Sequence, residues 1–128
     1  VYAPLYYGYG RKGEYGDRES FARHFETEII EMAPETVLLL LKASPEVIAD
    51  RMKKTPHART VLKEGDIDHV LERFEYHFSH SHLRYKLTLD TSEASVEETL
   101  KQFVEAYEPH ISDRDRLRMQ TRKGAAAG

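Results

Sequence analysis

The clearest apolar group in this chain is Thr36-Val-Leu-Leu-Leu-Leu-Lys42, a short run without alternation, with Pro34 on one side and Pro45 on the other. Alternation disappears when both faces of a strand are buried, so the run predicts a parallel β-strand covered on both sides. Upstream of it, Phe21, Phe25, Ile29 and Met32 recur at helical spacing after Asp17, a candidate N-cap, which predicts a helix from about Arg18 to Met32 that ends at Ala33-Pro34. Downstream, Ser44-Pro45-Glu46 opens a helix: serine caps, proline suits the first helical position, and glutamate complements the positive helix end. Thr55 to Gly65 is polar and aperiodic, which predicts an exposed connection. Ile67, Val70, Leu71, Phe74 and Phe78 then form one stripe, predicting an amphipathic helix from about Asp66. Arg84 to Asp90 alternates with Tyr85, Leu87 and Leu89 on one face, as in a half-exposed strand near a sheet edge. Ser95 and Glu98 make a capping box for a helix carrying Val96, Leu100, Phe103, Val104 and Tyr107, which ends near Pro109.

Two strands, each approached through a long helical crossover, imply α/β packing with parallel strands, whose ligands collect at the strands' carboxyl ends. In this chain those ends are Lys42-Ala43-Ser44 and Asp90-Thr91-Ser92. Residues 1–109 read as one α/β unit. The tail, 110–128, carries Arg114, Arg116, Arg118, Arg122 and Lys123 with little apolar surface, and is expected to be frayed or disordered.

Composition narrows the function. With 128 residues, 40% hydrophobic and 32% charged, the chain suits a single core that buries roughly two thirds of its unfolded surface. The run Val37 to Leu41 is far shorter than the ~20 residues a bilayer core requires, so no membrane association is expected. A net charge of −3 gives no global basic field, and no nucleic-acid partner is expected. Zero cysteines exclude disulfides and thiolate zinc sites and fit a reducing, cytoplasmic setting. The chain begins at Val1 with no signal peptide after it, which suggests a piece of a longer protein.

Candidate chemistry lies in a few places. The loop 1–17 crowds Tyr2, Tyr6, Tyr7, Tyr9 and Tyr15 among glycines, and each tyrosine offers a flat apolar face with a hydroxyl; ligand contact and simple loop packing are both open. Arg51 projects inside the arc marked by Val47, Ile48 and Met52, so it either meets a phosphate, pairs with a carboxylate or snorkels to water. His77, His80 and His82 lack a carboxylate at a diagnostic offset, and no metal site is assigned to them. Without cysteine or a Gly-x-Ser-x-Gly elbow, nucleophilic catalysis has no foothold.

An apolar strand, Ser44-Pro45-Glu46-Val47-Ile48, Arg51 a turn further, a basic insert near 53–65 with Arg59, a helix containing Arg73, and a strand ending Asp90-Thr91-Ser92 together resemble the carboxyl-terminal half of P-loop nucleoside and nucleotide kinases, the group of thymidylate and adenylate kinases. The resemblance spans about residues 36–107 and rests on order and spacing. It implies a partial three-layer α/β/α fold with parallel strands and a LID-like insert at 53–65. It further implies a cytoplasmic transferase that uses ATP and Mg2+ on a small-molecule acceptor. By position, Arg51, Arg59 and Arg73 would stabilise the transferring phosphoryl group, because fixed guanidinium charge suits phosphate oxygens. Thr91, Ser92, Glu93 and Ala94 would line the adenine pocket, and Tyr6, Tyr7 and Arg11 would face the acceptor. No Gly-x-x-x-x-Gly-Lys-Ser/Thr occurs, and Gly8-Tyr9-Gly10-Arg11-Lys12-Gly13 lacks both the spacing and a preceding strand. In the family the phosphate-loop strand lies beside the strand matching Val37 to Leu41. The expected partner is therefore a missing amino-terminal half, or a second chain, on the open strand edge, and this piece alone is expected to be inactive. The alternative is a noncatalytic α/β binding or assembly module.

Overall fold

The computed structural model describes residues 18–56 and 62–126. In chain order it holds helix α1 (Arg18–Met32), strand β1 (Val37–Lys42), helix α2 (Pro45–Lys54), a 3-10 turn (Glu64–Asp66), helix α3 (Ile67–Ser79), strand β2 (Tyr85–Asp90), helix α4 (Val96–Tyr107), a second 3-10 turn (Glu108–His110) and helix α5 (Asp113–Ala126). This is a mixed helix and sheet chain of α/β type, with two parallel strands.

Local chemistry accounts for the helix starts. The Ser44 hydroxyl accepts from the Val47 amide at 3.4 Å, and Pro45 opens α2. At α4 the box is reciprocal: the Glu98 amide donates to Ser95 Oγ at 3.1 Å and the Ser95 amide to Glu98 Oε2 at 2.7 Å. Those bonds hold the Glu98 carboxyl below its usual range. The strands pair in register from Val37 opposite Tyr85 to Lys42 opposite Asp90, so both carboxyl ends finish side by side. Helix α3 packs on β1 and helix α4 on β2. Leu40 and Leu89 are buried, with Ala22, Ala43, Ile67 and Leu83 completing the apolar core among the described residues.

Three expectations need correction. The leucine run is not buried throughout: Leu40 is 8% exposed and Val37 to Leu39 are half-buried, but Leu41 is 58% exposed. The cause is that α4 packs on β2, and among the described residues β1 has no strand on its other edge. The stripe Val96, Leu100 and Val104 is likewise exposed, as are Phe21 and Met32 of α1, whose buried face runs through Ala22 and Glu26 instead. Finally, the tail is not frayed throughout. Ser112 Oγ accepts from the Asp115 amide at 3.2 Å and starts α5, a helix that leaves Leu117 and Met119 exposed.

Candidate ligand site at the strand ends

Because β1 and β2 run parallel and in register, the loops that follow them meet. The Thr91 amide donates to the Lys42 carbonyl at 2.8 Å, and the Thr91 hydroxyl donates to the same oxygen at 3.1 Å. Ser92 ties the second loop to the first: its Oγ accepts from the Ser44 amide at 2.8 Å and donates to Asp90 Oδ1 at 2.5 Å, while its own amide reaches Asp90 Oδ1 at 2.8 Å. These two bonds from Ser92 hold the Asp90 carboxyl below its usual range.

Arg51, in the last turn of α2, reaches across to this loop. Its Nη1 donates to Thr91 Oγ1 at 3.0 Å and its Nη2 to the Thr91 carbonyl at 2.5 Å. A guanidinium carries more donors than these two bonds use. Two cavities open on either side of the pair. A cleft of about 600 Å³ has a floor of Leu40, Ile48, Ile67, Val70 and Phe74 and a rim that includes Lys42, Lys63, Asp66, Glu75 and Asp90. Within that rim Lys42 Nζ meets Glu75 Oε1 at 2.6 Å, which raises the lysine pKa. The second cavity, about 540 Å³, is lined by Leu39, Leu41, Leu89, Val96, Leu100 and Phe103 and is almost wholly apolar. Arg51 and Thr91 line both.

Of the three arginines singled out from the sequence, the two that lie among the described residues, Arg51 and Arg73, do not meet. Arg51 stands at the strand ends. Arg73 lines neither cavity: its Nη2 lies 2.7 Å from His77 Nε2, and its guanidinium sits 5.5 Å from the Tyr76 ring centre. The reason is helical phase. Ile67, Val70, Leu71 and Phe74 face the cleft, whereas Arg73 and His77, four apart, share a face turned toward Arg23 of α1. Arg59, Tyr6, Tyr7 and Arg11 lie outside the described residues. Thr91 and Ser92 border the cleft and Ala94 the apolar groove, while Glu93 is exposed and lines neither.

A second polar cluster was not foreseen from the sequence. Glu26 is fully buried and accepts from Arg23 Nη1 at 2.7 Å, Ser81 Oγ at 2.8 Å and the His82 amide at 2.8 Å. His77, 1% exposed, lies between Arg23 and Arg73. A guanidinium only donates, so Nε2 of His77 accepts from Arg73 at 2.7 Å, while Nδ1 stands 3.3 Å from Arg23 Nη2. Burial first, then the Arg73 charge, pushes the His77 pKa below its ordinary 6.5. The only sequence signal for this cluster is the Arg23–Glu26 spacing of three, which occurs on many solvated helices. The histidines do not converge: His80 stacks on Tyr76 with its Nδ1 2.8 Å from the Tyr76 carbonyl oxygen, and no group of three metal-ligating side chains forms among the described residues.

No described helix is long and apolar enough to cross a membrane. Comparison with protein families, curated protein sequences and solved structures finds no match for this chain.

Proposed function

We propose that this chain is the carboxyl-terminal part of an ATP-dependent phosphotransferase of the P-loop kinase type, acting on a small acceptor such as a nucleoside or nucleotide. The observation that carries the reading is the position of Arg51: an arginine fork at the carboxyl ends of two parallel strands, at the border between a charged-rim cleft and an apolar groove. A nucleotide has the same division, with a polyphosphate that needs cationic donors and a base that needs a flat apolar wall. Arg51 serves the phosphates, Thr91 and Ala94 border the base in the apolar groove, and Ser92 lies on the cleft side. Arg59 belongs to the LID in this reading, and Tyr6, Tyr7 and Arg11 to the acceptor side. Arg73 acts in packing rather than on phosphate, because its guanidinium is engaged by His77. ATP and Mg2+ come through the parent protein in this reading, and no described residue is assigned to the metal.

The finer architecture, a partial three-layer α/β/α sheet completed by a phosphate-loop strand along β1, belongs to the same proposal. It is supported by the outer edge of β1, which no described strand pairs, and by the exposed apolar side chain of Leu41 beside it. That same apolar surface favours a second reading, a noncatalytic assembly module whose partner seats on β1 and α4. The two separate in one assay on the protein expressed from its full native reading frame. The kinase releases ADP from ATP with at least one nucleoside, nucleotide or sugar acceptor, and Arg51→Ala lowers its ATP affinity at least tenfold. Absence of ADP release with every acceptor, together with unchanged nucleotide affinity in Arg51→Ala, removes the kinase reading and leaves the assembly module.

A further inference from the structure

We infer that the Arg51–Thr91 pair couples the two cavities, so that a polyphosphate in the charged cleft and a nucleoside in the apolar groove each raise the other's affinity. The inference rests on the proposed nucleotide site and concerns how its halves communicate.

Arg51 is solvent-exposed in a short helix and lines both cavities. Its contacts across the strand ends are the two donors given to one residue, Thr91, at hydroxyl and carbonyl. Thr91 in turn is held by two bonds to the Lys42 carbonyl, which anchor it to the end of β1. The loop is therefore fastened to the end of β1 and, through Ser92 Oγ, to the Ser44 amide at 2.8 Å, and Thr91 is held besides by a long flexible side chain whose remaining donors are available to an anion. An anion that takes those donors fixes the guanidinium, and a fixed guanidinium fixes the Thr91 carbonyl and hydroxyl on the groove's border. Ordering is then supplied once and used twice, which is positive cooperativity without new contact between the ligands. Linkage requires the effect to be reciprocal. The fork is essential to this account: a lysine ammonium supplies the same charge as a single point and cannot hold Thr91 at two atoms while facing an anion. Arg51 is accordingly a positioning residue for the groove.

The test uses the full-reading-frame protein with two separate probes, tripolyphosphate and adenosine, each titrated alone and at saturation of the other. The expected result is that saturating tripolyphosphate tightens adenosine binding at least fivefold, that adenosine tightens tripolyphosphate by the same factor, and that the Thr91 and Ser92 amide resonances move with either probe. Arg51→Lys keeps tripolyphosphate affinity within about threefold, since its charge is retained, but brings the coupling factor to within twofold of one. Thr91→Val, which removes the hydroxyl that Arg51 Nη1 donates to, lowers the coupling factor toward one, and it serves as the readout if the lysine variant does not fold. Independent binding of the two probes to the unaltered protein overturns the coupling and leaves the nucleotide site standing. Full coupling in Arg51→Lys also overturns it. Binding of neither probe overturns the proposed site, and the coupling with it.

Discussion

Glu26 has no exposed surface, and its carboxylate is met from three directions by Arg23, the Ser81 hydroxyl and the His82 amide. Removing such a group strands a buried cation and two donors, so Glu26→Ala is expected to cost about 3–5 kcal/mol, and the shape-preserving Glu26→Gln about 1–3 kcal/mol. Urea unfolding of the two variants measures both, and a smaller loss in Glu26→Ala than in Glu26→Gln contradicts the assignment. His77 beside it predicts a pH dependence. Its folded-state pKa lies below the ordinary 6.5, through burial and the neighbouring Arg73. The unfolded chain therefore binds the proton more readily than the folded one. The contribution of neutral His77 is complete above the unfolded value and declines as pH falls toward the folded one. Unfolding midpoints from pH 7.5 down to pH 5 should fall in the native chain, and His77→Gln should flatten part of that slope; an unchanged slope in the variant assigns the effect elsewhere.

At the scale of single elements, the caps carry most of what local sequence specifies. Ser95 is satisfied on both sides of its box, at 3.1 Å and 2.7 Å, whereas the Ser44 cap on Val47 is long at 3.4 Å. Ser95→Ala is expected to destabilise by about 1 kcal/mol and Ser44→Ala by less, as thermal melts of the two variants will read; the reverse order refutes the geometric ranking. Such signals were legible because a cap involves four consecutive residues. The facing of a helix was less legible. On α1 the apolar stripe of Phe21, Phe25, Ile29 and Met32 is split: Phe25 and Ile29 are half-buried, Phe21 and Met32 are exposed, and the fully buried positions are Ala22 and Glu26, because a tight polar contact with Ser81 and His82 decides the rotation. On α3 the apolar stripe did turn inward, and that same phase carried Arg73 away from the strand ends.

The whole molecule presents an apolar surface that its described elements do not cover. Leu41, Val96, Leu100 and Val104 are 52% to 81% exposed, on and beside a sheet of two strands. An unprotected strand edge beside such a surface drives association, so the chain should show a sedimentation coefficient that rises with concentration. Leu41→Lys combined with Leu100→Lys should abolish the rise while shifting stability by no more than about 0.5 kcal/mol per site, since both side chains face solvent. A native chain that sediments as a monomer at every concentration removes the expectation. The helix α5 adds nothing to this surface: Ser112 starts it, and Leu117 and Met119 remain in solvent.

Sequence alone determined the order of elements from α1 to α4, the parallel pairing, the caps at Ser44 and Ser95 and the meeting of Lys42 with Asp90 at one end, because periodicity and capping depend on neighbours a few residues apart. The same reading selected Arg51 and the Asp90-Thr91-Ser92 loop from the position of strand ends. Only the tertiary structure decided that Arg51 spends two donors on Thr91, that Arg73 belongs to His77, and that Glu26 is the buried centre of a network joining α1 to the loop after α3. The Arg51 and Glu26 contacts turn on which side chains meet across forty or more residues of chain, as Arg51 and Thr91 do at a separation of 40, and a linear pattern carries no term for such distances; Arg73 and His77 are only four apart, and there the facing of α3 toward α1 decides.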